Sequence, residues 1–250
     1  MLCRLSVVFT LLVASAAAAS SRPYAWAYTT DTGLEGDSGT ELWVSQRHAL
    51  AGPLAADYDG WDLWWGFTTV PTENVELAFY TIGGTVVGGS SPASSAQAYS
   101  AFAFVGLEAQ GRWHLAGPLL LLGKVDYFPG FGLGGTLLVV LEHRFEKFLL
   151  TANAGAALSQ SHLSAVPQKL WATADAALAA SVSVTESFRL GVEATLQAPL
   201  QGKAPFGAFI GPTLFYGKGK LWAALNSSYG VSYTPAAPAI WSRLVIGAGF

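Results

Sequence analysis

Cysteine is almost missing from this chain of 250 residues, with Cys3 the single one. Past that position no disulfide framework and no thiolate metal site can form. Charge is scarce too: Asp, Glu, Lys and Arg make up 12% of the residues and the formal net charge is −3, against a usual charged share of about 25%. Lys and Arg never form a block, which removes the electrostatic basis for a nucleic-acid partner. Long apolar runs are also lacking. Hydrophobic residues reach 52% of the chain, yet no internal stretch approaches the ~18 needed for a membrane helix. The four histidines, His48, His114, His143 and His162, stand alone, and neither a Ca²⁺ loop nor a G-x-S-x-G elbow occurs. No cofactor and no metal are expected.

What is present begins with "SVVFTLLVASAAAAS" behind a single Arg4. One cation, a short apolar core and a small-residue exit at Ala17, Ala18 and Ala19 are the pattern of a secretory signal peptide, here residues 1–19. The next stretch, 20–38, is expected to be periplasmic or to enter the body of the protein, and 39–250 to form one all-β unit.

The stretch "SFRLGVEATLQ" alternates at every residue: Phe188, Leu190, Val192, Ala194 and Leu196 against Arg189, Gly191, Glu193, Thr195 and Gln197. A period of two marks a strand whose faces meet different surroundings. Such segments recur near 39–48, 60–69, 73–82, 97–109, 115–127 and 132–143, then 147–158, 170–182, 186–198, 205–216, 219–231 and 240–250. Twelve strands are counted, with ten or fourteen left open. Their connections alternate as well. "VPTEN", "QGRWHLA", "HRFEK", "SVTES" and "YGKGK" are short, whereas most of the others are longer and rich in Gly, Ser and Pro. Short turns at one end and long loops at the other predict a transmembrane antiparallel up-and-down β-barrel with its turns on the periplasmic side. Aromatics fall near both rims of that meander: Phe145, Phe148, Phe188, Tyr216, Trp222 and Phe250 at one, Tyr99, Tyr127, Trp171, Tyr229 and Trp241 at the other.

The last strand, "WSRLVIGAGF", sets Leu244, Ile246, Ala248 and Phe250 on one face and stops on Phe250. Here the sequence resembles the outer-membrane β-barrel proteins of Gram-negative bacteria. That resemblance implies an outer-membrane location, outer-membrane lipid as surroundings, and the barrel-assembly machinery as a partner that reads Phe250. The early "YAWAYTTDTG" ahead of "TELWVSQR" also resembles small outer-membrane barrels.

With the apolar face toward lipid, the opposite face carries Glu41, Arg47, Asp62, Glu76, Glu108, Lys124, Asp126, Glu142, Asn153, Asp175, Arg189, Glu193, Asn226 and Arg243. A cation on the lipid side costs about 2–4 kcal/mol at the midplane, so these residues are expected to line the lumen. A soluble sandwich would leave such charges buried and unpaired. Eight of them are acids and four are bases, with Arg189 and Arg243 expected to pair with acids. The lumen is therefore expected to be mildly acidic, and if open to favour cations. A packed polar interior with no pathway is the alternative, because lumen width grows with strand number and twelve is intermediate.

Two motifs suggest other chemistry. "GFGLGG", Gly130 to Gly135, satisfies G-x-G-x-x-G, but no helix follows and no acid stands about twenty residues on, so a tight hairpin loop is expected. His162 and Ser164 resemble the His-x-Ser arrangement of outer-membrane phospholipase A, in which a polar amide orients the His and the Ser is the nucleophile. Ala174 and Ala176 stand where a downstream amide would be sought, although Asn153 lies on the preceding strand. The reading is thus a non-enzymatic barrel, a narrow channel for small solutes. A sealed structural or surface-interaction barrel and a lipid hydrolase are the alternatives.

Overall fold

The computed structural model describes residues 22–49, 58–88, 100–129, 132–161, 170–201, 206–231 and 238–250. Twelve strands run in chain order as β1 (Ser38–Ala49), β2 (Tyr58–Thr72), β3 (Val75–Gly88), β4 (Ser100–Ala116), β5 (Leu119–Phe128) and β6 (Gly132–Phe145), then β7 (Phe148–Ser161), β8 (Leu170–Ser183), β9 (Phe188–Pro199), β10 (Gly207–Lys218), β11 (Leu221–Gly230) and β12 (Ile240–Gly249). Each pairs with its sequence neighbours, and β1 pairs antiparallel with β12, so the sheet closes with no free edge. A ten-residue strand such as β5, tilted at about 45°, rises roughly 24 Å, close to the ~25 Å apolar band of an outer-membrane barrel.

Alternation fixes which face is which. On β9, Leu190, Val192 and Leu196 are 39%, 43% and 40% exposed while Glu193 is 1% exposed. The belt continues around the barrel through Trp61, Leu63, Trp65 and Phe67 on β2, Leu137, Val139 and Leu141 on β6, and Leu214 on β10. A contiguous apolar belt of that extent is the surface of a protein surrounded by hydrocarbon.

The short turns are tighter than the sequence suggests. Arg112 and Gln110, read as turn residues, lie inside β4, and the turn itself is Gly117–Pro118. Gly83 and Gly84, assigned to a long loop, continue β3. The signals were misread because polar and glycine residues facing a lumen look like turn residues in a sequence. Gly84 is needed where it is: a Cβ there would sit 2.3 Å from the Phe104 ring, which lies across the glycine from the next strand. Trp222 and Trp241, expected at the lipid rims, instead face inward, Trp222 lying over Gly247 and Trp241 packing against Phe209 at 5.3 Å.

Residues 22–32 lie inside the barrel, and Leu34 to Gly36 are exposed at its rim. Gly36, with φ of +89°, turns the chain at the rim where Gly36 N–H donates to Val70 and Val70 N–H to Asp37. From there the segment climbs to about mid-barrel at Trp26 and folds back, so that Arg22 meets Glu41 and Glu76 near the short-turn end. Around it the inner wall is apolar as well as polar: Trp43, Tyr80, Leu120, Leu122, Val140, Trp222 and Val245 are all buried there with Ala25 and Tyr28.

Candidate functional site

The lumen is organised around the backbone of residues 24–30. Having no strand partner, this backbone satisfies its polar groups with side chains from the wall. Glu193 on β9 does most: its carboxylate accepts from Ala25 N–H at 2.9 Å, Trp26 N–H at 2.8 Å and Ala27 N–H at 3.0 Å. Asn153 on β7 grips one residue from both sides, accepting from Tyr28 N–H at 2.6 Å and donating to Tyr28 C=O at 3.0 Å, and Thr151 donates to the same carbonyl at 2.7 Å. Next along, Arg112 donates to Thr29 C=O at 2.6 Å and Glu142 accepts from Thr30 N–H at 2.9 Å.

Side chains of the segment add a second set of ties. Trp26 Nε1 donates to Asn226 Oδ1 at 3.0 Å, and Tyr24 OH donates to Leu149 C=O at 2.7 Å. Arg22 Nε donates to Glu41 at 2.9 Å, its Nη2 to Tyr80 OH at 3.0 Å, and Tyr80 OH in turn to Glu41 at 2.8 Å. Arg144 bridges Asp31 and Glu142 at the rim, and Lys124 meets Tyr28 OH. Those made by Arg22, Arg144 and Lys124 are charge-assisted, a kind worth about 1.5–3 kcal/mol each.

Of the fourteen residues singled out from the sequence, Glu41, Glu76, Lys124, Glu142, Asn153, Glu193, Asn226 and Arg243 bind the segment directly. Glu76 bonds to Arg112 at 2.8 Å, and Arg47 pairs with Asp62 at 2.9 Å nearer the long-connection end. Glu108 and Lys124 stand 4.0 Å apart, while Asp126 fills the space over Gly134 and Asp175 accepts from Thr173 at 3.3 Å. Arg189 and Arg243 behave differently from expectation. Among the described residues neither has a carboxylate within 4.0 Å. Arg189 bonds Ser181 at 3.1 Å, and Arg243 bonds Ser45 at 3.0 Å with its guanidinium 3.7 Å from the Trp26 ring centroid.

Three bases were not anticipated. Arg22, Arg112 and Arg144 raise the inward set from four bases to seven, while Asp31 and Asp37 of the segment raise the acids from eight to ten, so an acidic surplus remains. Arg112 could have been found, since it shares its parity on β4 with Glu108. Arg22 could not, because nothing in its own stretch alternates.

On the long-connection side of Trp26 and Tyr28 the lumen opens into a cavity of about 320 Å³, walled by Trp64, Trp241, Leu138, Asp175, Gln197 and Arg243. His162 and Ser164 lie outside the described residues, as do Gly130 and Phe131 of the glycine-rich stretch. Among the described residues no group of His, Cys, Asp or Glu is arranged to hold a metal.

A closed twelve-strand wall and an apolar belt invite comparison with solved barrels. An outer membrane channel from Pseudomonas putida F1 superposes with a TM-score of 0.68 at 12% identity, covering 88% of this chain and 98% of that one. The fold is that of an outer-membrane β-barrel. The translocator domain of the autotransporter NalP from Neisseria meningitidis gives 0.61 at 16% identity, over 86% of this chain and 88% of that one. The beta domain of the Bordetella autotransporter BrkA gives 0.61 at 10%, over 86% and 100%. No protein-family model and no curated protein matches the sequence. In an outer-membrane barrel the belt described above faces lipid, and the segment and cavity form the aqueous side.

Proposed function

We propose that this outer-membrane barrel is a channel for small solutes that residues 22–37 hold closed at rest. The observation that carries the reading is the mode of attachment. The segment is continuous with β1 at the rim and is held by separable hydrogen bonds to the wall, with Glu193 and Asn153 making five of them to its backbone. A segment held this way can leave as one piece, whereas a core of packed wall side chains cannot. A cavity on one side of the segment and its periplasmic-end attachment on the other give the two ends of a path that, among the described residues, residues 22–30 interrupt. With ten acids facing seven bases, the lumen keeps a mild acidic surplus, and along the path the sign of the solute is set by local groups.

Single-channel recording in planar bilayers tests this. Replacing Glu193 by Ala leaves three amides without their acceptor, a loss of about 2 kcal/mol or roughly 30-fold in the closed-to-open ratio. The wild type is expected to be mostly non-conducting, and Glu193→Ala combined with Asn153→Ala to open for a much larger fraction of the time. A doubly substituted barrel that is folded and still silent would mean that the interior is sealed, as the structural-barrel reading holds.

A further inference from the structure

The cavity on the long-connection side has one feature at odds with the acidic surplus of the lumen. Arg243 lies on its wall with the guanidinium between two indole rings, 3.7 Å from the Trp26 centroid and 5.0 Å from that of Trp43. Its Nε donates to Ser45 at 3.0 Å and its Nη1 to the Ala25 carbonyl at 3.5 Å, which leaves Nη2 without a hydrogen bond among the described residues. Among the described residues no carboxylate lies within 4.0 Å of that guanidinium, Asp175 on the same cavity wall included. Asp62 takes Arg47 at 2.9 Å and Trp64 Nε1 at 3.2 Å, Glu193 takes three amides of the segment, and Glu108 stands by Lys124. A half-buried guanidinium with no paired carboxylate and a donor open to the cavity favours an anion that enters there.

We infer that the cavity is a binding site for a small carboxylate with an aromatic or comparably flat apolar body, its carboxylate taken by Arg243. The inference rests on the channel reading only in naming what would pass. The planar guanidinium of Arg243 is held in orientation by its stacking on Trp26 and presents a donor edge, the geometry that suits a carboxylate. The body of the ligand meets Trp26, Trp64 and Trp241 on one side and Leu138 and Ala177 on the other. The volume of about 320 Å³ sits at the low end of the 300–1,000 Å³ typical of small-molecule sites, which fits one ring and a short chain. Lys124 does not compete for the anion, since Tyr28 OH and Glu108 already engage it. Because Trp26 belongs to the segment and stacks on Arg243, an occupied site sits directly on the closing element.

Isothermal titration calorimetry on the full detergent-solubilised protein decides the matter, with 3-phenylpropionate, the neutral 3-phenylpropan-1-ol and the cationic 2-phenylethylammonium as probes. The anion is expected to bind at least tenfold more tightly than the alcohol, and the cation more weakly than either. Arg243→Gln should bring the anion's affinity down to that of the alcohol measured on the same variant, and Arg243→Lys should restore part of the preference. Equal binding of anion and alcohol, or no binding of any probe, overturns the inference. If Arg243→Gln does not fold, as judged by heat-modifiable mobility in cold SDS, the three-probe comparison on the wild type still gives the answer. Binding is read on the closed barrel, so a silent recording from the folded Glu193→Ala, Asn153→Ala barrel would defeat the channel and leave this result standing, and the reverse holds as well.

Discussion

At Glu193 one side chain replaces what a neighbouring strand would otherwise provide. Its two oxygens accept three successive amides, and the position that allows this is set by β9 pairing with Gly211 on one side and Ala179 on the other, both too small to crowd the segment. A Cβ on Gly211 would stand 2.0 Å from the Ser227 carbonyl, so the glycine belongs to the close approach of the wall strands. A different cost appears at Glu146. It opens the two-residue turn between β6 and β7 at φ of +49°, the left-handed region that costs an L-residue about 1 kcal/mol or more. Gly117 and Gly219 open the β4–β5 and β10–β11 turns in the same region without that penalty. Glu146→Gly is therefore expected to stabilise the barrel by about 0.5–1 kcal/mol, seen as a higher urea midpoint for unfolding from lipid vesicles. An unchanged or lower midpoint would show that the side chain contributes more than its backbone strain removes.

Among elements, β9 and β12 were the most legible, because strict alternation in "FRLGVEATLQ" and "SRLVIGAG" states both the strand and its two faces. β11 was harder. In "LWAALNSSYG" an inward Trp222 and an outward Leu221 are both apolar, so hydrophobicity alone does not say which face meets lipid, and the rim position suggested by its aromatic ring was the wrong one. β5 has the same difficulty at "LLLL", where Leu120 and Leu122 close the interior around the segment. Period two gives the faces of a strand only while the lumen is wet, and a peptide lying in the lumen makes part of the inner wall apolar. The face assignment can be tested on one strand. Val192→Arg puts a guanidinium into the outer belt near the middle of β9 and should cost about 2–4 kcal/mol, read as loss of heat-modifiable mobility at lower urea. Gln197→Arg, on the inward face and beside the cavity, should cost less than 1 kcal/mol. Similar costs at the two positions would contradict the assigned faces.

The whole molecule couples its first described residues to its last strands. Tyr28 meets Asn153 across 125 positions of sequence, Ala25 meets Glu193 across 168, and Trp26 meets Asn226 across 200. None of those sites exists until β7, β9 and β11 are in place, and β1, which carries the segment on its leading end, must also pair with β12 to close the wall. Contacts of such separation form late, because their loop-closure entropy is repaid only once the intervening hairpins have formed. The ties between segment and wall should thus be largely absent from the folding transition state. Asn226→Ala, which removes the Trp26 anchor, is expected to speed unfolding by about fivefold to tenfold while refolding into vesicles stays within about twofold of the wild type. Time courses of cold-SDS mobility in both directions measure the two rates. A fall in the refolding rate as large as the rise in the unfolding rate would mean that the segment docks early and guides closure, with the wall assembled around it.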